Sequence, residues 1–101
     1  MIIVYITCKD KKEAKKISIH LLKKRLIACA NLFPIESLYW WKNKINQDKE
    51  IVIIAKTQKE NFLSIQKEVK KNHSYKVPCI DSWDVDNVDE DYLKWLNNEI
   101  K

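Results

Sequence analysis

Apolar residues along the chain follow first a strand pattern and then a helix pattern. Ile2–Thr7 is a continuous, mostly β-branched apolar run, which is typical of a strand covered on both faces. Asp10 and Glu13 resemble a capping box at the start of a helix. Apolar residues at helical spacing continue this helix to about Arg25, while most of its lysines face water. A second strand region is predicted over Ile27–Leu38.

The middle of the chain predicts a long hairpin. The aromatic triplet Tyr39-Trp40-Trp41 leads into Lys42-Asn43-Lys44, and Lys49–Lys56 returns as the third strand. Asn43 is expected at the turn position with positive φ, because Asn adopts this conformation more readily than most residues other than Gly. Pro34 cannot donate a hydrogen bond to a neighbouring strand, so a bulge or an irregular edge is predicted there.

Two helices and one strand complete the pattern. Thr57–Glu60 has the letters of a capping box, and the helix that it starts is predicted to end near Lys71–His73. Val77–Val85 alternates and predicts the fourth strand. A last helix is expected from about Asp89 to Glu99.

This order of elements, β-α-β-β-α-β with an extra C-terminal helix, predicts a fold class. It is the ferredoxin-like α+β sandwich, in which helices cover one face of a four-stranded antiparallel sheet. We expect residues 1–101 to form one such domain. This fold leaves at least one hairpin tryptophan exposed in a single chain, because Trp40 and Trp41 are adjacent and must point to opposite faces. An exposed aromatic patch beside open strand edges favours self-association, and the alternative is cover by a loop or the last helix.

Composition narrows the classes of function. The chain contains no glycine, which excludes glycine-dependent phosphate loops, dinucleotide fingerprints and nucleophile elbows. Nothing in the sequence brings a nucleophile and a base together, so we expect no enzymatic activity. The net charge is +5, and every basic residue except Arg25 is lysine. Specific nucleic-acid recognition favours arginine, so we expect no specific nucleic-acid partner. Non-specific, salt-sensitive attraction to the lysine-rich first helix remains a third hypothesis.

The cysteines and the hydropathy pattern indicate a location. Cys8, Cys29 and Cys79 are odd in number, widely spaced and without a CxxC pair, which fits a reducing compartment. No basic segment precedes the first apolar run, and no run approaches the ~18 residues of a membrane span. The sequence therefore predicts a cytoplasmic protein with no membrane partner.

Few residues are candidate metal ligands. His73 follows the second predicted helix, where an imidazole is readily exposed, and Cys29 and Cys79 are soft ligands. No two of them have the short spacing of a metal motif, so such a site must be assembled across the fold or between subunits. The alternative for His73 is a C-terminal helix residue stabilised by the helix dipole. The acidic run over residues 84–91 lacks the glycine of a calcium loop and suits a helix N-terminus.

Five stretches of the sequence carry a family resemblance. They are Arg25-Leu26-Ile27-Ala28-Cys29-Ala30-Asn31-Leu32, Tyr39-Trp40-Trp41 with Lys44-Ile45, Lys56-Thr57, His73-x-Tyr75-x-x-Pro78 and Asp91-Tyr92-Leu93-x-Trp95-Leu96. In order and spacing, from end to end, they resemble the CutA family of divalent-cation tolerance proteins. The resemblance implies a ferredoxin-like fold and a compact homotrimer whose long hairpins pair edge to edge between subunits. This plan is similar to that of the PII signalling proteins.

The resemblance also implies a function. The family is associated with tolerance to copper and other heavy metals, and some members bind copper(II). Where those members have a first-strand Cys and paired histidines after the second helix, this chain has Ile6 and Asn72-His73, whereas Cys29 matches. We therefore expect a homotrimeric, non-enzymatic tolerance protein that binds copper(II) or another divalent metal. Its ligands are expected to be His73 with Cys29 or Cys79, or with a neighbouring subunit.

A second hypothesis is a PII-like signalling or adaptor protein. In that case, clefts between subunits hold a small molecule or receive a partner protein. Trp41, Glu50, Lys56 and Tyr75 are the candidates for lining these clefts, because they combine aromatic faces with opposite charges. The alternative for Glu50 and Lys56 is an ion pair at a subunit interface.

Overall fold

One antiparallel sheet with two helices packed on one face organises the chain. The computed structural model describes residues 1–101, and its strand order is β2-β3-β1-β4. This confirms the predicted ferredoxin-like α+β fold with an extra C-terminal helix. The elements are β1 (Ile2–Cys8), α1 (Lys11–Lys23), β2 (Cys29–Trp41), β3 (Lys44–Thr57), α2 (Phe62–Asn72), β4 (Ile80–Asp84) and α3 (Glu90–Glu99). None of the three helices is long and apolar enough to cross a lipid bilayer.

The core lies between the sheet and the two helices. Alternate residues of β1 point to the helices, because successive side chains of a strand face opposite ways. These side chains pack against the inner faces of β3, α1 and α2. Burial of each aliphatic side chain contributes roughly 1.5–3 kcal/mol to the free energy of folding. The buried cluster is Ile2, Val4, Ile6, Cys8, Ala14, Ile17, Leu21, Ile27, Ile53, Ala55, Ile65 and Val69.

A side-chain cap begins α1 at Asp10, as the sequence predicts, and another begins α3 at Asp89, whereas no side chain caps α2. The Glu13 N–H donates to Asp10 Oδ1 at 2.8 Å, and the Tyr92 N–H donates to Asp89 Oδ2 at 3.2 Å. The capping box predicted at Thr57–Glu60 is wrong. Thr57 is the last residue of β3, its hydroxyl donates to the Leu26 carbonyl at 2.6 Å, and no side chain caps the start of the following turn or of α2. A single 3₁₀ turn precedes α2 instead.

The hairpin between β2 and β3 is longer than predicted. Its turn is Lys42-Asn43, with φ of 51° and 61°, which confirms the positive φ at Asn43. Two consecutive residues in the left-handed region define a type I′ turn, whose twist matches that of the flanking strands. The register stays continuous through Pro34, opposite Ile51, so the predicted bulge is absent. β2 is an edge strand of the sheet, where proline is tolerated.

The outer half of this hairpin projects beyond the sheet. β1 pairs with β3 only over residues 51–57, so residues 35–41 and 44–50 form a two-stranded ribbon. The molecule is accordingly elongated, with extents of 45 × 26 × 21 Å. Three large apolar side chains share the helix-facing side of this ribbon, where no helix reaches. They are Leu38 (67% exposed), Trp40 (71%) and Ile45 (63%), and we call them the hairpin patch.

The backbone conformation of Asn43 leads to a stability prediction. Asn43→Ala keeps a Cβ in the left-handed region but removes the side-chain amide that makes this conformation favourable for Asn. The free energy of unfolding should therefore fall by about 1 kcal/mol. Asn43→Gly should not lower it, because Gly adopts this conformation freely. Urea unfolding at one fixed protein concentration measures both variants. Equal losses would contradict the prediction and indicate that a side-chain contact of Asn43 matters instead.

Candidate functional site

Three side chains of ligand type converge where β1, α1 and the loop after α2 meet. Cys8 ends β1, Glu13 lies in the first turn of α1, and His73 follows the last residue of α2. One ligand atom from each lies within 4.8 Å of the other two. Cys8 and Glu13 are buried, and the His73 side chain has no exposed surface. We call these residues the Cys8–Glu13–His73 cluster.

Backbone atoms occupy both ring nitrogens of His73. Nε2 lies 2.7 Å from the Thr7 carbonyl oxygen, and the Tyr75 N–H donates to Nδ1 at 3.0 Å. A nitrogen that accepts carries no proton, so this pattern assigns the proton to Nε2. The ring also packs against the Tyr75 ring, with centroids 4.7 Å apart. The expectation of an exposed imidazole is therefore wrong: His73 is a buried, hydrogen-bonded residue.

The Glu13 carboxylate links two loops that are distant in sequence. It accepts the Lys9 N–H at 3.1 Å and the Ser74 N–H at 2.9 Å, and its Oε1 lies 3.9 Å from His73 Nδ1. Burial raises the pKa of Glu13, but the hydrogen bonds from Ser74 and Lys9 outweigh burial and lower it overall. The capping-box pattern identified the start of the helix, but it did not indicate this second partner.

Cys8 is a protonated thiol under ordinary conditions. Burial raises its pKa to about 12, with additional contributions from the negative charges of Glu13, Glu50 and Asp10. The thiolate is the form that binds metals and attacks electrophiles, so the free thiol of Cys8 is unreactive here. The alternation of side chains along β1 places Cys8 on the same face as Ile6, so the sequence could have predicted that the Cys8 side chain points into the core.

The other two ligands predicted from the sequence lie apart from His73 within one chain. Cys29 pairs across the sheet with Lys56, which pairs with Ile3, whereas His73 contacts Thr7. Ile3 and Thr7 are four residues apart on β1, so at about 3.3 Å per residue roughly 13 Å separate the position of Cys29 from that of His73. Cys79 precedes β4 and borders a cavity on the opposite face of the sheet. A site built from all three needs a neighbouring subunit, and this stays a prediction.

A cavity of about 930 Å³ lies between the outer hairpin and the loop over residues 74–79. Four aromatic side chains and one buried carboxylate dominate its walls, and we call it the aromatic groove. They are Tyr5, Tyr39, Trp41, Tyr75 and Glu50. Trp40 also borders the cavity, although its side chain points to the helix-facing side of the ribbon. Its size is within the ordinary range for small-molecule sites. Three of the four cleft residues predicted from the sequence, namely Trp41, Glu50 and Tyr75, therefore line one cavity.

Glu50 and Tyr75 form the polar centre of the aromatic groove. The Tyr75 hydroxyl donates to Glu50 Oε2 at 2.6 Å. Burial, and then this bond to a negative carboxylate, raise the pKa of Tyr75. Lys56, the fourth predicted cleft residue, lies elsewhere, because its Nζ is 5.4 Å from the Tyr92 ring centroid at the far end of β3. Lys56 and Glu50 are thus not paired within one chain.

Comparison with known proteins assigns the family. The model of the CutA1 divalent ion tolerance protein family matches residues 2–99. The chain belongs to this family. The divalent-cation tolerance protein CutA of Pyrococcus horikoshii is 50% identical over 100% of this chain and 99% of its own. The solved structure of the periplasmic divalent cation tolerance protein CutA from Archaeoglobus fulgidus is 38% identical, covers 100% of both chains and has a TM-score of 0.97.

These CutA relatives correct the predicted location. The Archaeoglobus fulgidus protein is described as periplasmic. A relative from Oryza sativa, 35% identical over 99% of this chain and 57% of its own, is described as chloroplastic. The expectation of a cytoplasmic protein is therefore wrong, because relatives that share this fold are described as lying in other compartments. At the family level, the relatives' names connect CutA proteins with divalent-cation tolerance.

The two hydrogen bonds of the Glu13 carboxylate lead to a stability prediction. Glu13→Gln keeps the shape but turns one acceptor into a donor facing a backbone N–H, so the free energy of unfolding at pH 7 should fall by about 2 kcal/mol. Because folding lowers the pKa of Glu13, its contribution is present above about pH 4.3 and is lost as the pH falls through the folded-state value.

Urea unfolding between about pH 3 and 7 tests this prediction. The difference between the parent chain and Glu13→Gln should narrow as the pH falls. Glu60→Gln is the matched control, because it removes the same charge from an exposed position. A difference that stays constant with pH would contradict a role for the ionised carboxylate.

Proposed function

We propose that this chain is a non-enzymatic, single-domain divalent-cation tolerance protein that binds a divalent metal at the Cys8–Glu13–His73 cluster and acts as a homotrimer. The observation that carries the metal site is the convergence of three ligand atoms within 4.8 Å. The metal-tolerance role named for the relatives supports the same conclusion.

The donor set of the cluster fits a transition metal. A thiol, a carboxylate and an imidazole are ligands of zinc and copper rather than of calcium or magnesium. The Nε2–H of His73, which donates to the Thr7 carbonyl, holds the ring so that Nδ1 faces Glu13. Metal-binding histidines are commonly oriented by such a bond to a backbone carbonyl.

Two groups must change before the cluster can bind a metal. Nδ1 of His73 must exchange its hydrogen bond from the Tyr75 N–H, so the segment over residues 73–75 has to shift. Cys8 must release its proton, which its raised pKa disfavours. Binding is therefore expected to be weak at neutral pH and to strengthen with pH.

The proton on Cys8 leads to a test of the metal site. Because one proton leaves on binding, the apparent affinity for Co(II) should rise about tenfold per pH unit between about pH 7 and 9. Titration followed by the thiolate charge-transfer absorption of Co(II) measures both the affinity and the ligand. Cys8→Ser should abolish this absorption, and His73→Ala should abolish saturable binding of one metal ion per subunit.

The two remaining cysteines serve as controls in the same titration. Cys29→Ser and Cys79→Ser should keep both the absorption and its pH dependence. Loss of the absorption in Cys29→Ser or Cys79→Ser, with Cys8→Ser unaffected, would move the site to the ligands predicted from the sequence and place it between subunits. Native mass spectra with Cu(II) and Zn(II) then identify the metal that binds at one ion per subunit.

The projecting ribbon supports the homotrimer. A two-stranded ribbon is marginally stable alone, and both edges of its outer half are unpaired. The hairpin patch adds three large apolar side chains that nothing in the chain covers. Pairing of ribbons between copies would satisfy the strand edges and bury the patch together, as the resemblance to CutA trimers implies.

Substitution in the hairpin patch tests this assembly. Trp40→Lys should convert the trimer to monomers, because it would place a charge in a buried contact. Light scattering coupled to size exclusion gives the mass. Leu63→Lys is the matched control, since Leu63 is 76% exposed on α2 and away from the hairpin. A parent chain that is monomeric, or a Trp40→Lys variant that stays trimeric, would contradict the proposed interface.

The aromatic groove favours a second candidate function, the PII-like role. A cavity of about 930 Å³ with a buried carboxylate is larger and more specialised than a metal-binding cluster needs. In this hypothesis the trimer is a carrier or adaptor that responds to a small molecule. Small-molecule binding that persists when the cluster is removed by His73→Ala would distinguish this function from metal tolerance.

A further inference from the structure

The two helices that cover the sheet carry the whole net positive charge of the molecule. Together α1 and α2 contain eight lysines and two acidic residues, a net charge of +6, whereas the rest of the chain contains 11 basic and 12 acidic residues. Both acidic residues of the helices are engaged. Glu13 is buried and accepts two backbone N–H groups, and Glu68 lies between His20 and two lysines. The exposed surface of the two helices is therefore strongly basic.

Each helix presents a row of lysines with one aliphatic side chain on the side away from the sheet. Residues three and four positions apart share one face of a helix. The row on α1 is Lys12, Lys16, Ile19 and Lys23, and the row on α2 is Leu63, Lys67 and Lys70. All of these residues are exposed, including 49% of Ile19 and 76% of Leu63. His20 Nε2 lies 2.8 Å from Glu68 Oε1, so the helices lie side by side. The two rows form one surface, which we call the basic helix face.

The five lysines of the basic helix face have no counter-charge within the chain. None of their ammonium nitrogens lies within 4 Å of a carboxylate oxygen, whereas Lys24 and Lys71 at its border contact Glu68. A cluster of like charges attracts a partner with a high density of negative charge. The face points away from the sheet and its strand edges, so the pairing of ribbons proposed above leaves it open.

The side chains among the lysines favour a lipid surface over a nucleic acid. Ile19 and Leu63 expose aliphatic surface, which the boundary between lipid headgroups and acyl chains accommodates. Nucleic-acid binding favours arginine and aromatic side chains that stack on bases. The face offers neither: α1 has no aromatic residue, Phe62 of α2 packs against the core, and Arg25 is ion-paired with Glu99. Lysine is a hydrated point charge, which suits a surface of mobile headgroups.

We propose that the basic helix face binds the surface of membranes that contain anionic lipids. The lysines lie against the headgroup phosphates, and Ile19 and Leu63 reach the boundary between headgroups and acyl chains. The sequence predicted no membrane partner because no apolar run is long enough to span a bilayer, but a protein that lies on the membrane surface needs no such run. The interaction uses no residue of the Cys8–Glu13–His73 cluster or of the aromatic groove.

Vesicles of two compositions isolate the role of lipid charge. One set contains phosphatidylcholine alone, and the other contains phosphatidylcholine with about 30% phosphatidylglycerol. Co-sedimentation of the full chain with each set measures the partition coefficient. Binding should be detectable only with phosphatidylglycerol. It should weaken at least about tenfold when the salt concentration rises from about 0.05 to 0.5 M, because salt screens the attraction between surface charges.

Charge reversals locate the binding surface. Lys16→Glu combined with Lys67→Glu reverses one charge on each helix and should weaken binding to phosphatidylglycerol vesicles at least about tenfold. Lys94→Glu combined with Lys101→Glu is the matched control, because it changes the net charge equally at exposed positions in and after α3. The control should weaken binding less than about twofold. Light scattering should show that both variants keep the mass of the parent chain.

A third variant distinguishes a lipid surface from other polyanions. Ile19→Ser combined with Leu63→Ser leaves the net charge unchanged and removes the aliphatic surface. It should weaken binding to phosphatidylglycerol vesicles at least about threefold, because less apolar surface enters the headgroup region. Any salt-sensitive attraction to a DNA duplex of about 20 base pairs should be the same for this variant and the parent chain.

Each outcome decides the proposal. Binding to anionic vesicles that depends on both the lysines and the aliphatic side chains of the face supports it. Equal binding to both sets of vesicles, or an equal loss in the Lys94→Glu and Lys101→Glu control, would overturn it. Undiminished vesicle binding by the serine variant would also overturn it and indicate a surface that attracts any polyanion. Binding to neither set of vesicles would leave the lysines as a solvated surface and overturn the proposal as well.

Discussion

The two hydrogen bonds accepted by the Glu13 carboxylate hold the functional end of the molecule together. One comes from the loop between β1 and α1, through the Lys9 N–H, and the other from the loop after α2, through the Ser74 N–H. Because these loops lie far apart in sequence, no local preference brings them together. The loop after α2 is held by this contact together with the bonds of His73 to the Thr7 carbonyl and of Tyr75 to Glu50.

Tyr75 connects the two candidate sites through opposite ends of one residue. Its backbone N–H donates to Nδ1 of His73, and its hydroxyl donates to Glu50 in the aromatic groove. The cluster therefore lies on the helix-covered side of β1, and the groove lies on the other side, with a single residue spanning them. A chain of about 100 residues can support two chemically different sites in this way because they share one structural support.

The sequence predicted what depends on local pattern and missed what depends on distant partners. The strands, the cap at Asp10 and the left-handed Asn43 all follow from neighbouring residues. Thr57 was misassigned because its hydroxyl partner, the Leu26 carbonyl, is 31 residues away. The exposed location expected for His73 was wrong for the same reason, since Thr7 and His73 are 66 residues apart. The long β3 extends through the polar segment of residues 44–49 because β2 pairs with it there, not because of local strand preference.

The absence of glycine has a consequence for the free energy of folding. Three residues, Arg25, Lys42 and Asn43, adopt left-handed φ angles of 59°, 51° and 61° and bear the steric cost of a Cβ there. In the unfolded state the absence of glycine acts in the opposite direction. A Cβ at every position leaves the unfolded chain fewer backbone conformations, and so less conformational entropy to lose on folding, than a chain with glycine has. Replacing a glycine by alanine in a compatible position stabilises a protein by roughly 0.4–1 kcal/mol through this loss of disorder. The chain thus concentrates strain at three turn positions and gains stability from the restricted conformational freedom of its unfolded state.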